Sequence, residues 1–319
     1  MSSQKQTETE ISQLDEAARA AWLYYVGGKT QDQIAKELGI SRQRAQRLVS
    51  RAVAEGIIHF RLDHAIGRCL EIERKLRQKH GLKVCRVAPW LGEGVDPVPG
   101  IAPLAAVEIE RVLSSADPVT IAVGTGRTLR AAVEELTRMD CPRHRLVSLN
   151  GNISPDGSAS HYDVIMRIGD RVRAPHFPMP VPAVASSKEE KHLFHSLKPV
   201  QRTMELARNA DVTFVGIGQV DETAPLVKDG FITADELAEC RKLGAAGEIA
   251  GWIYDETGKY LDTGPNLRMT GQRVDPPQDS LVVGVAAGAS KVRAFKSALN
   301  GGLVNGLVTD EATAIRLLD

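Results

Sequence analysis

Residues 30–58 constrain the fold and function of this chain more than any other stretch of the sequence. Two short helical patterns meet there at Gly39, which can adopt the left-handed conformation that ends a helix. Thr30 is placed to cap the first helix, and Ser41 is placed to cap the second. Two short helices joined by a glycine turn in this way predict a helix-turn-helix.

The second helix, predicted over 41–55, has two chemically different faces at about 100° per residue. Its apolar residues would pack on the first helix, whose own apolar face is Ile34, Ala35 and Leu38. The apolar residues of the second helix are Ala45, Leu48, Val49 and Ala52.

The opposite face is rich in Arg and Gln, which can read guanine and adenine in the major groove, while further Arg side chains neutralise phosphates. Residues 29–61 carry seven Lys or Arg against three Asp or Glu, in a chain whose net charge is zero. An Arg-rich helix can also be only a solvated face, but the caps, the turn and the charge together favour DNA binding. The predicted DNA-binding residues are Ser41, Arg42, Gln43, Arg44, Gln46, Arg47 and Arg51, of which Arg44 and Arg51 are assigned to phosphates.

Bulk properties describe an ordinary protein of about two domains. The chain has 319 residues, 43% of them hydrophobic and 25% charged. No apolar run approaches the roughly 18 residues of a membrane span, and the first residues lack a signal-peptide core. Four scattered cysteines form no C-x-x-C pair, which indicates reduced thiols and a cytoplasmic location without membrane contact.

The predicted organisation has four parts. A disordered polar tail covers 1–13, and a DNA-binding domain covers 14–64. A connecting helix covers 65–80, and an effector domain covers 81–319. The DNA-binding domain opens with a helix over 14–25 and ends in a short strand or wing over 56–62. The opening helix is predicted to bury Ala17, Ala18, Ala21, Trp22 and Tyr25.

From residue 81 the sequence alternates between strand and helix patterns, which predicts a doubly wound, mainly parallel α/β sheet covered by helices. A ligand would bind beyond the carboxyl ends of its strands. Proline-rich residues 89–103 and 173–187 are predicted to be loops, the second crossing irregularly over the domain. Strands are predicted over 83–88, 119–123, 145–149, 211–215, 248–254 and 281–286.

Two turns carry the clearest small-molecule signals. Gly124, Thr125, Gly126, Arg127 and Thr128 join a strand to a helix and would offer backbone N–H groups, hydroxyls and a charge to an anion. The pattern is neither a Walker loop nor a dinucleotide fingerprint, and it could also be only a tight connection.

Lys291 lies in a second turn of this kind, between the strand over 281–286 and the helix that follows it. A lysine is unfavourable at a helix N-terminus unless an anion binds there or the side chain points to water.

Amides and carboxylates near strand ends can bind sugar hydroxyls, and Asn150, Glu248 and Asp255 have that placement. His192 and His195 are three residues apart, but this spacing is more typical of surface histidines than of a metal site. The sequence shows no nucleophile elbow or triad. We therefore expect no metal, no cofactor and no enzyme activity.

The chain resembles the SorC family of bacterial sugar-responsive transcriptional regulators from about residue 15 to the C-terminus. The matching segments occur in the family's order. They are A-A-W-L-Y-Y from residue 20, T-Q-D-Q-I-A-K-E-L-G-I-S-R from 30, V-G-T-G-R-T-L from 123, L-N-G from 149, V-G-I-G from 215, L-G-A-A-G-E-I-A-G from 243, A-A-G-A-S-K from 286 and A-L-N-G-G-L-V-N-G-L-V-T-D-E-A-T-A from 298.

This resemblance implies an effector domain similar in fold to sugar-phosphate isomerases, acting as a sensor within a homodimer or homotetramer. Its partners would be double-stranded operator DNA and a sugar, sugar phosphate or polyol. Some relatives that bind phosphosugars have Arg where this chain has Asn150, which leaves a neutral effector open. The main alternative is an isomerase-like enzyme carrying a DNA-binding domain, and a second is an interaction protein whose helix-turn-helix contacts another protein. The predicted effector contacts are Gly124, Thr125, Gly126, Arg127, Thr128, Asn150, Gly151, Gly216, Gly218, Glu248, Asp255 and Lys291.

Overall fold

The computed structural model describes residues 2–58, 67–154, 164–262, 264–276 and 279–319. The chain divides into two compact units, Met1–His64 and Ala65–Asp319. The first unit contains α1 (Ser2–Tyr25), α2 (Gln31–Leu38) and α3 (Arg42–Ala54). Helix α1 begins well before the predicted start at residue 14, in the stretch expected to be a disordered tail, and no Gly or Pro interrupts it.

The core of the first unit follows the predicted faces of α2 and α3. All four apolar residues predicted for α3 are buried, as are Ile34 and Ala35 of α2. The predicted face of α1 is wrong in part, because Trp22 and Tyr25 are 58% and 41% exposed while Ala20 is fully buried. Small alanines allow the close approach of α1 to α3, and the aromatic side chains turn outward. The predicted strand over 56–62 lies largely outside the described residues.

The second unit alternates strands and helices along most of its length. In chain order its elements are α4 (Gly67–His80), β1 (Val84–Ala88), α5 (Val98–Leu113), β2 (Thr120–Val123), α6 (Arg127–Glu135), β3 (Arg145–Ile153), α7 (Ile165–Val172), β4 (His176–Pro182), α8 (Lys188–Ser196), α9 (Lys198–Arg208), β5 (Val212–Gly216), α10 (Pro225–Lys228), α11 (Ala234–Lys242), β6 (Ala245–Ile249), β7 (Trp252–Asp255), β8 (Leu281–Val285), α12 (Val292–Asn300), β9 (Gly306–Asp310) and α13 (Glu311–Leu318).

Seven strands form one parallel sheet in the order β1-β9-β8-β5-β2-β3-β4. Side chains alternate between its faces: Ile121 and Val123 pack with α5, α6 and α7, whereas Ala122 packs with α4, α9, α12 and α13. The predicted doubly wound α/β fold is therefore confirmed. Helix α4, predicted as a connector, buries Cys69, Ile72 and Leu76 in this second core.

The chain winds away from the centre of the sheet in both directions. One path runs from β2 to β3 and β4, and the other runs from β5 to β8 and β9. The carboxyl ends of the neighbouring strands β2 and β5 therefore lie where the winding reverses, which is the place where open α/β sheets bind ligands.

Three predictions about this unit need correction. Residues 173–187 are not an irregular loop throughout, because they contain the edge strand β4. Pro178, Pro180 and Pro182 occupy alternate positions of β4, so the positions without an N–H group all face one side of the strand. An edge strand pairs with a neighbour only on its other side, and it needs N–H donors only there. The stretch 248–254 is split between β6 and β7, an antiparallel hairpin outside the main sheet. Helix α5 begins at Val98, within the predicted loop over 89–103.

Candidate functional site

The helix-turn-helix is held by the caps that its sequence predicts. Thr30 and Gln33 form a reciprocal capping box, with the Gln33 side chain accepting from the Thr30 backbone N–H at 2.9 Å. Gly39 ends α2 with φ of 65°, and the Ser41 hydroxyl accepts from the Arg44 backbone N–H at 3.2 Å. These contacts fix where α3 begins and therefore which of its residues face outward.

The outward face of α3 carries Gln43, Gln46, Arg47 and Ser50, all exposed. The Arg47 guanidinium is bonded only weakly, to the Gln43 backbone carbonyl at 3.4 Å. This arrangement leaves polar side chains free to meet base edges in a major groove.

The two predicted phosphate-binding residues, Arg44 and Arg51, are bonded to side chains within the same unit, unlike the residues of the outward face. Arg44 Nη2 donates to Glu16 Oε2 at 2.8 Å, and Arg51 Nη1 donates to Gln13 Oε1 at 2.7 Å. Both acceptors belong to α1. Arg44 and Arg51 therefore lie on the flank of α3 that faces α1.

The second unit contains a cavity of about 310 Å³ at the carboxyl ends of β2, β3, β5 and β8. It lies at the point where the winding of the sheet reverses, which is where the alternating pattern predicts ligand binding. Of the predicted effector contacts, the cavity brings together Thr125, Gly126, Arg127, Thr128, Asn150, Gly151, Gly216, Gly218, Glu248 and Lys291.

Two glycines give the cavity a matched pair of turns. Gly126 precedes α6 with φ 122° and ψ 164°, and Gly288 precedes a 3₁₀ turn and α12 with φ 112° and ψ 154°. This region of backbone space is accessible essentially only to glycine. Neither helix start has a side-chain cap, so backbone N–H groups remain available at both turns. In the sequence, the second turn is marked by Gly288, Ser290 and Lys291 after a predicted strand.

Glu248 is held in the cavity wall by backbone contacts on two sides. Its N–H donates to the Gly218 carbonyl at 2.9 Å, and the Gly218 N–H donates to its carbonyl at 3.0 Å. The Gly251 N–H donates to Oε2 at 2.8 Å. Burial raises the pKa of this carboxyl, and it outweighs the opposing effects of the Gly251 bond and of Lys291.

Lys291 lies on the same wall and donates to Gln219 Oε1. Burial lowers the pKa of its ammonium, with Arg127 acting in the same direction and Glu248 and Asp221 opposing it. The side chain does not simply point to water, because it is half-buried and bonded within the cavity. It can donate to an anion or to a hydroxyl.

Asn150 supplies an acceptor that the protein leaves open. Its Oδ1 is buried and has no hydrogen-bond partner among the described residues, although the residue lines the cavity. A buried polar atom without a partner is costly, and a ligand hydroxyl would satisfy it.

Two predicted contacts do not line the cavity. Gly124 lies behind it, with its N–H donating to the Phe214 carbonyl at 2.9 Å. Asp255 ends β7, where its Oδ1 accepts from the backbone N–H groups of Thr257 and Lys259 at 2.8 and 3.0 Å and from the Thr257 hydroxyl. The Asp255 carboxylate therefore closes a turn, and its predicted role as an effector contact is not supported by its position.

Other lining residues were not predicted from the sequence. They include two carboxylates, a glutamine, a serine and several apolar side chains. These residues are Asp96, Gln219, Leu226, Asp229, Phe231, Ala250, Met269 and Ser290. Ala250 and Ser290 lie within the segments matched from 243 and from 286, and Gln219 directly follows the V-G-I-G segment. The sequence gives no comparable signal for the others.

His195 bonds the Thr270 carbonyl at 2.8 Å. Within the described ranges, no group of three or more His, Cys, Asp or Glu side chains is arranged to hold a metal ion. All four cysteines are buried and free of disulfides. No helix among the described residues is both long and apolar enough to cross a membrane.

A helix-turn-helix unit with a free polar recognition face, followed by a doubly wound unit with a polar cavity at its switch point, defines a ligand-responsive transcriptional regulator. The comparisons identify its family. The family model described as "Putative sugar-binding domain" matches residues 64–319, and a MarR family model matches residues 20–68. The chain belongs to the SorC family of sugar-binding transcriptional regulators.

The similarity to individual relatives extends over nearly the whole chain. The erythritol catabolism regulatory protein EryD of Brucella abortus is 36% identical, over 95% of this chain and 96% of that protein. The transcriptional regulator LsrR of Enterobacter sp. is 31% identical, over 98% and 94%. The crystal structure of the full-length sorbitol operon regulator SorC from Klebsiella pneumoniae superposes with a TM-score of 0.75 and 27% identity, covering 95% of this chain and 98% of that one.

Proposed function

We propose that this protein controls a carbohydrate or polyol catabolic operon and that its effector is a neutral sugar or polyol bound in the cavity of the second unit. The observation that carries the proposal is the Asn150 Oδ1 atom, a buried acceptor without a partner among the described residues. A hydroxyl can donate to this atom, whereas an ionised phosphate oxygen cannot.

The charges around the cavity support a neutral effector. The lining contains two cations, Arg127 and Lys291, and three carboxyl groups, Asp96, Asp229 and Glu248. Lys291 is already bonded to a side chain of the cavity. A phosphate would meet this mixture without a clear excess of positive charge, whereas a polyol can both donate to and accept from it. Two of the relatives are named for erythritol catabolism and for the sorbitol operon.

The first test is a thermal-shift screen of polyols, sugars and sugar phosphates on the full chain. A specific ligand at about 100 times its dissociation constant adds roughly 2.7 kcal/mol of stability. We expect neutral compounds to stabilise the protein and Asn150→Ala to weaken their binding. Asp255→Asn is the matched control, because that side chain lies outside the cavity. Stabilisation by phosphorylated compounds alone would refute a neutral effector.

In this function the second unit binds the effector as a sensor and does not convert it to a product. The alternative, an isomerase-like activity, would use Glu248 as an acid or base because burial raises its pKa and Lys291 lies in the same wall. Incubating the protein with each stabilising ligand and following the mixture by NMR distinguishes the two. We expect the ligand to remain unchanged, and a product that disappears with Glu248→Gln would establish the enzyme.

The first unit is proposed to place α3 in the major groove of operator DNA, with Arg42, Gln43, Gln46 and Arg47 near base edges. A homodimer or homotetramer would present two such helices to an operator with two half-sites. Arg47→Ala is expected to cost about 1–3 kcal/mol of operator affinity. The matched control is Arg74→Ala on α4, which removes an exposed arginine from the other unit. Unchanged operator affinity in Arg47→Ala would exclude this docking.

A further inference from the structure

The two arginines on one flank of α3 are already engaged by the protein itself. Arg44 and Arg51 are seven residues apart, two helical turns, and both side chains reach to α1. Arg51 bonds the neutral Gln13 amide and lies 3.6 Å from Glu55. Arg44 instead meets a carboxylate on α1, that of Glu16, at 2.8 Å. Glu16 therefore places a negative charge beside the flank of a DNA-reading helix.

The Arg44–Glu16 pair can be exchanged for another partner. The side chains of Arg44 and Glu16 are 52% and 45% exposed, so water and salt screen the attraction between them. A DNA phosphate offers the same guanidinium two oxygens, and its contact also releases condensed counterions. Once Arg44 turns to a phosphate, however, the Glu16 carboxylate remains close to the same negative charge.

We propose that Glu16 competes with a DNA phosphate for Arg44 and so limits the sequence-independent part of DNA binding. The inference rests on the proposed docking of α3 in the major groove. Base reading is left to the outward face of α3, which Glu16 does not contact. Removing the Glu16 charge should therefore strengthen binding to operator and to random-sequence DNA by the same factor.

The test is a salt titration of DNA binding by the full chain, using labelled operator and random duplexes. Glu16→Gln keeps the shape of the side chain and removes its charge. One additional phosphate contact makes the slope of log affinity against log salt more negative by about 0.9 for each bound recognition helix. The same slope corresponds to about an eightfold change in affinity for each tenfold change in salt.

A double-mutant cycle separates competition for Arg44 from simple charge repulsion. If Glu16 acts through Arg44, Glu16→Gln has no effect on the slope in an Arg44→Ala background. Asp15→Asn is the matched control: it removes the neighbouring charge from α1, and Asp15 forms no ion pair with any described residue. A smaller change in slope for Asp15→Asn than for Glu16→Gln is expected.

Two results would overturn the inference. One is an equal effect of Glu16→Gln with and without Arg44, and the other is an equal effect of Asp15→Asn. If α3 does not dock in DNA at all, the results differ. Wild-type protein would then show no salt-dependent DNA binding, and Arg47→Ala would leave DNA affinity unchanged. That result would refute the docking of α3, and the inference with it.

Discussion

The Gly218→Ala substitution tests how the cavity positions Glu248. A Cβ atom at residue 218 would lie only 1.8 Å from Glu248 Oε1 and 2.5 Å from the carboxyl carbon. Ordinary contact begins at about 3.4 Å, so the oxygen must move by roughly 1.6 Å. Glu248 Cγ, at 2.7 Å, must also move, so the whole side chain has to change its rotamer, but no backbone atom is among these contacts. The protein should therefore fold, but with the carboxyl group displaced.

The size of the effect follows from the bonds that this movement breaks. The Gly251 N–H lies 2.8 Å from Glu248 Oε2, and a shift of that size exceeds hydrogen-bond range. Losing this bond is expected to lower the free energy of unfolding by about 1–3 kcal/mol. Losing the bond from the carboxyl group to an effector hydroxyl should weaken effector binding by a similar free energy, about 5- to 150-fold. Calorimetric titration with a polyol identified by the thermal-shift screen measures the second effect.

Two controls separate displacement of Glu248 from other consequences of an added methyl group. Gly216→Ala adds the same methyl on the same chain segment, where the nearest atom is the Thr125 carbonyl oxygen at an ordinary 3.6 Å. It should change the free energy of unfolding by less than about 1 kcal/mol. In a Glu248→Ala background, Gly218→Ala should have little further effect on effector affinity. A full additional loss in that background would refute the reasoning, since residue 218 would then act independently of Glu248.

Three further predictions follow from caps, strained backbone and burial. Gly126→Ala should lower the free energy of unfolding by about 1–3 kcal/mol because residue 126 has a glycine-only conformation, although no atom lies within 4 Å of the added Cβ. Gly124→Ala is the control. Equal losses for the two variants in urea unfolding would contradict the backbone strain at Gly126. Glu248→Gln should be more stable than wild type at pH 8, by about 1.4 kcal/mol for each unit by which the folded pKa is raised. Because the raised pKa favours the neutral carboxyl in the folded state, this difference in stability should disappear as the pH falls below about 4.5. Urea unfolding of both proteins at pH 8 and below about pH 4.5 measures it. The same difference at both pH values would contradict a raised pKa of Glu248. Thr30→Ala should cost the first unit about 0.5–2 kcal/mol through loss of its capping box, measured by thermal unfolding with Thr30→Ser as the conservative control.

Local rules predicted the first unit well where one helix face alone decided burial. The apolar spacing of α3 gave its four buried residues, and Gly39 and Ser41 gave the turn. The same spacing on α1 was ambiguous, because alanines lie on several faces and the aromatic residues could be placed inside or outside. Close packing of α1 against α3 selected the face with Ala17, Ala20 and Ala21 and left Trp22 outside.

The errors in the second unit arise where tertiary context overrides a local signal. Four prolines argued against a strand over 173–187, but only neighbours in the sheet reveal that β4 is an edge strand. Conversely, an apolar stretch over 248–254 satisfied a strand pattern, and its division into a hairpin depends on Ala250 and Gly251 adopting positive φ of 52° and 85°. Glycine favours this conformation, but alanine does not. No local rule would have placed the turn there.

The candidate site shows the same division between local and long-range information. Motifs identified the Gly126 turn and Lys291 because strand, glycine and helix follow one another directly in sequence. Gln219 and Asp229 reach the cavity only because the chain folds back over the carboxyl end of β5. Asp255 had the correct residue type near a strand end, but the strand belongs to the hairpin, and the side chain closes the hairpin's next turn.

The polar lining of the cavity also limits how an effector could control DNA binding. An effector changes DNA affinity only through its different affinities for two states of the protein. A shift from 1:99 to 99:1 between such states requires about 5.5 kcal/mol of differential binding. A hydrogen bond contributes about 0.5–1.5 kcal/mol, so a complete switch needs roughly four contacts present in one state and absent in the other. Arg127, Asn150, Glu248 and Lys291 line the cavity, and under the proposed function they would supply that number. Replacing any one of them should therefore weaken effector control of operator binding by about tenfold and leave partial regulation, and complete loss from a single replacement would mean that one contact dominates the difference between the states.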